Sequence, residues 1–257
     1  TCAAIGALSL LAFLGISVVL SKWAVRPIEQ AWEQQRQFVA DASHELKTPL
    51  AVILTNAELA NSGEYAEEER GQFIRNILIM SGHMKLLVEQ MLELSRTDRT
   101  PNRGEEQTVD LSGVIANVAL TFEASLFELR HPLTTEIIPD IAVRGNERQL
   151  AQVAEILLDN AGKYSAEDGT VTLSLRRQDN RHCLLSVRNE GESIPAEELE
   201  NLFKRFYRAD PSRKRDGSFG LGLSIAENIV TNHKGKIWAE SREGYNTFHV
   251  LLPTQST

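Results

Sequence analysis

His44 has Glu45 beside it and Thr48 one helical turn further on. A neutral imidazole nitrogen is a good nucleophile near pH 7, and an adjacent carboxylate can take up or orient its proton. A second cluster, Asn160, Lys163 and Tyr164, ends the run that starts Ile156-Leu157-Leu158-Asp159. An asparagine carbonyl is a hard oxygen ligand suited to Mg²⁺, and a nearby lysine neutralises phosphate charge. A third is Asn189-Glu190-Gly191-Glu192-Ser193-Ile194-Pro195. The fourth, Leu202-Phe203-Lys204-Arg205-Phe206-Tyr207-Arg208, opens a stretch with six basic residues between 204 and 215. In an acidic chain so many cations call for an anion or for solvent. The fifth is Gly217-Ser218-Phe219-Gly220-Leu221-Gly222-Leu223-Ser224-Ile225, ahead of a helical pattern. Glycines admit close approach of phosphate, and a following helix offers its N-terminal amides to an anion. No Lys-Ser/Thr ends this cluster and no strand leads into it, so it is neither a Walker A loop nor a dinucleotide fingerprint. Taken singly, each of the first four clusters has a plainer reading (an incidental surface histidine, a polar helix end, a strand-to-turn exit, a solvated loop), and a lone glycine-rich loop is weak evidence.

These residues need elements to hold them. Ile28, Trp32, Gln35, Val39, Ala42, Leu46, Pro49 and Ile53 recur four and three apart, as along a coiled-coil seam. Asn61-Ser62-Gly63 breaks that helix, and a second follows with Phe73, Ile77, Met80, Met84, Leu87, Met91 and Leu94. All three methionines fall on the second seam, where core packing accounts for them. The pair forms an αα-hairpin whose wide apolar surface a second copy would bury, giving a homodimeric four-helix bundle. His44 lies midway between the seam positions Ala42 and Leu46, so it points away from the seam, with Thr48 on its own face. Pro49 removes the hydrogen bond to the Glu45 carbonyl and is expected to bend the helix there.

Upstream, Cys2 to Leu20 carries no charge, and nineteen residues at ~1.5 Å each reach ~28 Å, a bilayer's hydrocarbon thickness. Lys22, Trp23 and Arg26 follow as an interfacial anchor and place the remainder in the cytoplasm. The chain starts with Thr1 and reads as a fragment whose upstream part is missing. Its 257 residues, net charge −8, suit one large or two small domains and argue against nucleic acid as the main partner. Two cysteines build neither a disulfide framework nor a zinc site. The turn-rich run Thr97 to Gly104 marks a domain boundary. Beyond it, helices are expected over 109–129, 147–162 and 221–231, and strands at 171–175, 184–187, 237–239 and 248–252. Mixed without a βαβ rhythm, they suggest an α/β sandwich with helices layered on one sheet. The fold class is therefore α+β. A transmembrane helix (1–21) leads into a juxtamembrane helix (22–37), an antiparallel helical hairpin (38–100) forming the dimeric bundle, and the sandwich (105–257).

The string Phe38 to Leu50, FVADASHELKTPL, closely resembles the H-box of sensor histidine kinases. The later clusters, in order, resemble the N-, G1-, F- and G2-boxes of the ATP-binding domain shared by those kinases, gyrase and the Hsp90 chaperones. The resemblance covers about residues 27 to 254. It implies that His44 accepts a phosphoryl group from ATP and that Thr48 positions a water for its removal from the partner. It implies that Asn160 binds Mg²⁺ and that Lys163 and Tyr164 line the nucleotide. It further implies that Asn189 accepts a hydrogen bond from the adenine amino group, and that Gly191 and Ile194 belong to the same cofactor site. Phe203, Arg208, Gly220, Leu221, Gly222 and Leu223 complete the site, with Arg208 at the phosphates. The phosphoryl group would pass to an aspartate of a response regulator's receiver domain.

Three positions depart from the family pattern. Asn189 stands where aspartate is usual, and without charge assistance a loss of about 1 kcal/mol in binding is expected. Ser193 replaces a common second glycine, where positive φ would be strained. Ile156 replaces a second asparagine one turn before Asn160 and takes a polar contact from its face. Only about twenty residues separate Trp23 from His44, so a signal would run down one continuous helix. The departures motivate an alternative: a non-catalytic or phosphatase-dominant signalling scaffold with a degenerate nucleotide site.

Overall fold

The computed structural model describes residues 2–99, 107–209 and 219–255. The boundary run beyond Arg99, the basic residues Arg213, Lys214 and Arg215, and Gly217 and Ser218 lie outside the described residues. The polypeptide falls into two compact units, Thr1–Met80 and Ser81–Thr257.

Helix α1 spans Cys2–Asn61 and α2 spans Glu67–Arg99. The expected break lies between them, with Gly63 at φ 73°, a conformation glycine adopts at little cost. Three acidic residues, Glu67, Glu68 and Glu69, open α2, and the Glu69 carboxylate accepts from the Ala66 amide at 3.2 Å, as in a capping box. Near the turn the Arg70 Nε donates to the Ala60 carbonyl at 2.9 Å, Asn76 Nδ2 donates to Asn56 Oδ1 at 3.1 Å, and Tyr65 meets Phe73 edge-on. Pro49 is buried and α1 runs through it uninterrupted, so the bend expected there does not divide the helix. The seam is buried at Ala42, Pro49, Leu87 and Leu94, whereas Ile28, Trp32 and Val39 are exposed. Off the seam, Val52, Leu54, Ile74, Leu78 and Ile79 also face outward.

In the second unit, α3 (Leu111–Glu128), α4 (Glu147–Tyr164) and α6 (Gly222–Asn232) accompany a five-stranded sheet of order β2-β4-β5-β7-β6. Its strands are β2 (Leu133–Ile137), β4 (Val171–Arg177), β5 (His182–Glu190), β6 (Lys236–Arg242) and β7 (Tyr245–Pro253). β2 runs parallel to β4; all other pairs are antiparallel. A separate ribbon joins β1 (Gln107–Asp110) to β3 (Ala142–Gly145), and α5 (Ala196–Leu199) is a single turn. Asp110 and Asn146 cap α3 and α4, accepting from Gly113 and Gln149 amides at 3.1 Å each.

Alternation decides which sheet face is covered. Val171, Leu173 and Leu175 pair with Asn189, Val187 and Leu185, which pair in turn with Asn246, Phe248 and Val250. All are buried, so one face carries the core and takes the helices. On the other face Trp238 stacks on His249 and Arg188 lies 3.6 Å over the Tyr245 ring. α3 has the length and apolarity of a membrane span, but seven of its residues, Leu111 and Ile115 among them, are buried in this core.

Candidate functional site

α4, the turn after β5, the segment after α5 and the start of α6 enclose a cavity of about 590 Å³. Asn160, Lys163 and Tyr164 reach it from the last turns of α4; Asn189 and Ile194 from the end of β5 and its turn; Arg208, Gly220, Gly222 and Leu223 from the segment flanking 209–219. The turn is pinned from two sides: the Ile194 amide donates to Ser241 Oγ at 2.8 Å, and Asn246 Nδ2 to the Glu192 carbonyl at 3.0 Å. The Phe206 amide donates to the Gly220 carbonyl at 2.9 Å, and Tyr207 and Gly220 both line the cavity. Among the described residues no side chain caps α6, and its first amides lie at the cavity wall formed by Gly222 and Leu223, where a helix start favours an anion.

Three residues of the expected set do not line the cavity. Phe203 is buried edge-on to Phe248, and Leu221 is fully buried, because both are core side chains within polar motifs. Gly191 acts by absence: a Cβ there would stand 2.7 Å from the Tyr164 carbonyl and 3.1 Å from Asn189 Nδ2. Ser193 is not among the residues with positive φ, so the expected strain is not present. Lys163 already has a partner, its Nζ lying 2.5 Å from Asp159 Oδ2, one turn earlier on α4. Any phosphate that draws Lys163 competes with a carboxylate on the same wall. Ile156 also lines the cavity and puts an apolar surface one turn below Asn160. Among the described residues no cluster of three or more His, Cys, Asp or Glu can hold a metal by itself. A neutral asparagine oxygen fits an ion carried in on a polyphosphate better than a resident one.

Asn189 is 2% exposed, and its Nδ2 donates to the Tyr164 and Glu190 carbonyls at 3.4 and 3.2 Å. Two residues that line the cavity were missed by motif reasoning. Asp159 was signalled by its i,i+4 spacing from Lys163. Asn246 was signalled only as a polar residue at an inward position of an alternating strand, beside Phe248, Val250 and Leu252.

In the other unit His44, Glu45 and Thr48 are exposed on α1, as expected from their place off the seam. The Thr48 hydroxyl donates to the His44 carbonyl at 3.5 Å.

Residues 34–100 match the His Kinase A (phospho-acceptor) domain, and residues 145–256 match the histidine kinase-, DNA gyrase B- and HSP90-like ATPase. A helical hairpin with an exposed histidine and an α/β layer with an anion-ready cavity define a phospho-acceptor domain and an ATPase-type domain on one chain. The chain belongs to the sensor histidine kinases of two-component systems. It is 35% identical over 238 residues to the sensor protein DltS of Streptococcus agalactiae, covering 93% of this chain and 59% of DltS. The chain thus spans about three fifths of that relative's length. The mycobacterial sensor histidine kinase MprB superposes with a TM-score of 0.52 at 25% identity, over 59% of this chain and 99% of that one. Histidine kinase ThkA, solved in complex with response regulator protein TrrA, shares the fold with a TM-score of 0.71 at 22% identity, over 90% of this chain and 65% of that one.

Proposed function

We propose that this chain autophosphorylates His44 from ATP and passes the phosphoryl group to an aspartate of a response regulator. The observation that carries the reading is one cavity lined by Asn160, Lys163, Asn189, Arg208 and the uncapped start of α6. In this reading Asn189 and Ile194 hold the base. Lys163, Arg208 and the amides at Gly220, Gly222 and Leu223 take the phosphates. Asn160 supplies the protein's oxygen ligand to Mg²⁺, which neutralises developing charge on the phosphates when bound. The unprotonated ring nitrogen of His44 attacks the γ-phosphorus, the bond to the β-phosphate oxygen breaks, and ADP leaves. The proton on the other ring nitrogen passes to Glu45 or to water. Thr48, one turn on, orients a water in the reverse, dephosphorylating sense.

The outward apolar side chains of α1 and α2, Val52, Leu54, Ile74 and Leu78 among them, support a homodimeric four-helix bundle. The uncharged run Cys2 to Leu20, whose described side chains Ile5, Phe13, Leu14, Ile16 and Leu20 are all more than half exposed, supports a membrane span with a cytoplasmic body. The divisions we assign are 1–21 for the span, 22–37 for the juxtamembrane helix, 38–100 for the phosphotransfer domain and 105–257 for the ATP-binding domain. Ile156 in the cavity wall favours a second reading, a signalling scaffold with a degenerate nucleotide site. Titration of the chain with ATP and Mg²⁺ separates the two. Binding below millimolar, weakened at least tenfold in Asn160→Ala, is the kinase result; no binding at millimolar ATP by the folded dimer rejects it.

A further inference from the structure

α4 and α6 meet the cavity with opposite ends. Tyr164, Ser165 and Ala166 bring the C-terminal end of α4 to its wall, and Gly222 and Leu223 bring the first turn of α6. A helix C-terminus carries partial negative charge and favours a cation, whereas a helix start favours an anion. Side chains sharpen the contrast. Asp159 stands in the last two turns of α4, next to Asn160 in sequence, and Ile156 adds no polar side-chain atom to that wall. Among the described residues lining the cavity, Asp159, Glu192 and Glu198 are acidic and Lys163 and Arg208 basic, so the wall is on balance acidic. Lys163 is the cation at the α4 end, and its Nζ is held by Asp159 Oδ2. The acid precedes the lysine by four residues, the favoured order on a helix. With side chains 31% (Lys163) and 53% (Asp159) exposed, the pair can exchange partners at little cost.

We infer that Asp159 is a specificity-determining residue that makes nucleotide binding depend on a divalent cation. Phosphate oxygens that draw Lys163 away leave the Asp159 carboxylate at a helix C-terminus with no counter-charge, and the phosphates themselves repel it. A nucleotide that carries Mg²⁺ restores the balance. Lys163 turns to phosphate, and the metal supplies the positive charge that Asp159 has given up. Metal-free ATP brings no replacement cation, so Asp159 discriminates against it. The inference deepens the proposed use of ATP and rests on it. It gives this chain a polar group on α4 for the metal-bearing side of the nucleotide, where Ile156 offers none.

The test is equilibrium binding to the full chain of ATP with Mg²⁺, ATP with EDTA, and adenosine. Wild type is expected to bind ATP at least about tenfold more tightly with Mg²⁺ than with EDTA. Asp159→Asn is expected to bind metal-free ATP about three- to tenfold more tightly than wild type, and ATP with Mg²⁺ no more tightly, so that the metal dependence shrinks. Adenosine, which has no phosphate, should bind both proteins alike. Asp159→Glu keeps the pair on its helical spacing and should keep the wild-type dependence. Asp159→Ala provides the same comparison as Asp159→Asn should that variant fail to fold. An Asp159→Asn protein whose ATP affinities with and without metal move by the same factor, or that loses adenosine affinity in parallel, would make the residue structural and overturn the inference. A wild type that binds ATP alike with and without Mg²⁺ also overturns it and leaves the ATP reading standing. A wild type that binds ATP in neither condition overturns the ATP reading itself.

Discussion

Gly220 and Gly244 share a left-handed backbone, φ 68° and 80°, but differ in what surrounds them. A Cβ on Gly244 would meet nothing within 4 Å. A Cβ on Gly220 would stand 2.6 Å from the Tyr207 carbonyl oxygen and 2.9 Å from the Phe206 carbonyl carbon, main-chain atoms that cannot swing aside. Replacing either glycine by alanine costs about 1–2 kcal/mol for the left-handed conformation. At Gly220 the overlap adds about 1–3 kcal/mol, the usual range for an overpacked site. Gly244→Ala is thus expected to lose about 1–2 kcal/mol and Gly220→Ala about 2–5 kcal/mol. The segment has one cheaper escape: it can give up the Phe206 amide to Gly220 carbonyl hydrogen bond, worth about 0.5–1.5 kcal/mol, and swing Gly220 out of the cavity wall. The loss then appears in nucleotide affinity rather than in stability. Urea unfolding at constant m-value, paired with ATP titration, reads both routes. Equal midpoints and equal ATP affinities for the two alanine variants would refute the reasoning.

Burial pushes the His249 imidazole below its ordinary value, with Glu240 opposing and Arg176 reinforcing. The unfolded chain therefore binds the proton first, and stability should fall as pH drops from about 6.5 toward the folded value. Stability measured against pH should show that loss in wild type and a flatter curve in His249→Gln. Burial raises the Glu227 carboxyl, so its ionised form is disfavoured in the folded state. The folded state loses stability as pH rises above about 4.5, and Glu227→Gln is expected to be the more stable protein at pH 7 by thermal unfolding. The Cys183 thiol is pushed up to about 11 by burial. Iodoacetamide at pH 8 should modify it only at the rate of unfolding, which mass-resolved labelling with and without urea measures.

Much of this architecture was readable because the period of the apolar residues is long-range information. The seams of α1 and α2 and the buried alternation of β4, β5 and β7 each extend over many residues. β1, β2 and β3 were not readable. β1 and β3 have four residues each, and in β2 the three central residues, Thr134, Thr135 and Glu136, are exposed, leaving no alternation to find. Their strand pairing is set by distant partners such as Val171 to Leu175, which local sequence does not encode. At the site, motif order gathered most of the cavity wall but could not separate wall from core, so Phe203 and Leu221 were placed in the pocket that they support from behind. Asn246 escaped because a solitary asparagine in a strand has no spacing to betray it. Only the register with Asn189 brings it to the cavity wall.

The most direct measurement is incubation of the chain with γ-labelled ATP and Mg²⁺, wild type beside His44→Gln. The kinase reading requires label on wild type that is acid-labile, base-stable and mapped to His44. The mutant should bind ATP with unchanged affinity and carry no label. Absence of label on a folded, ATP-binding wild type, or label that persists in His44→Gln, would contradict it.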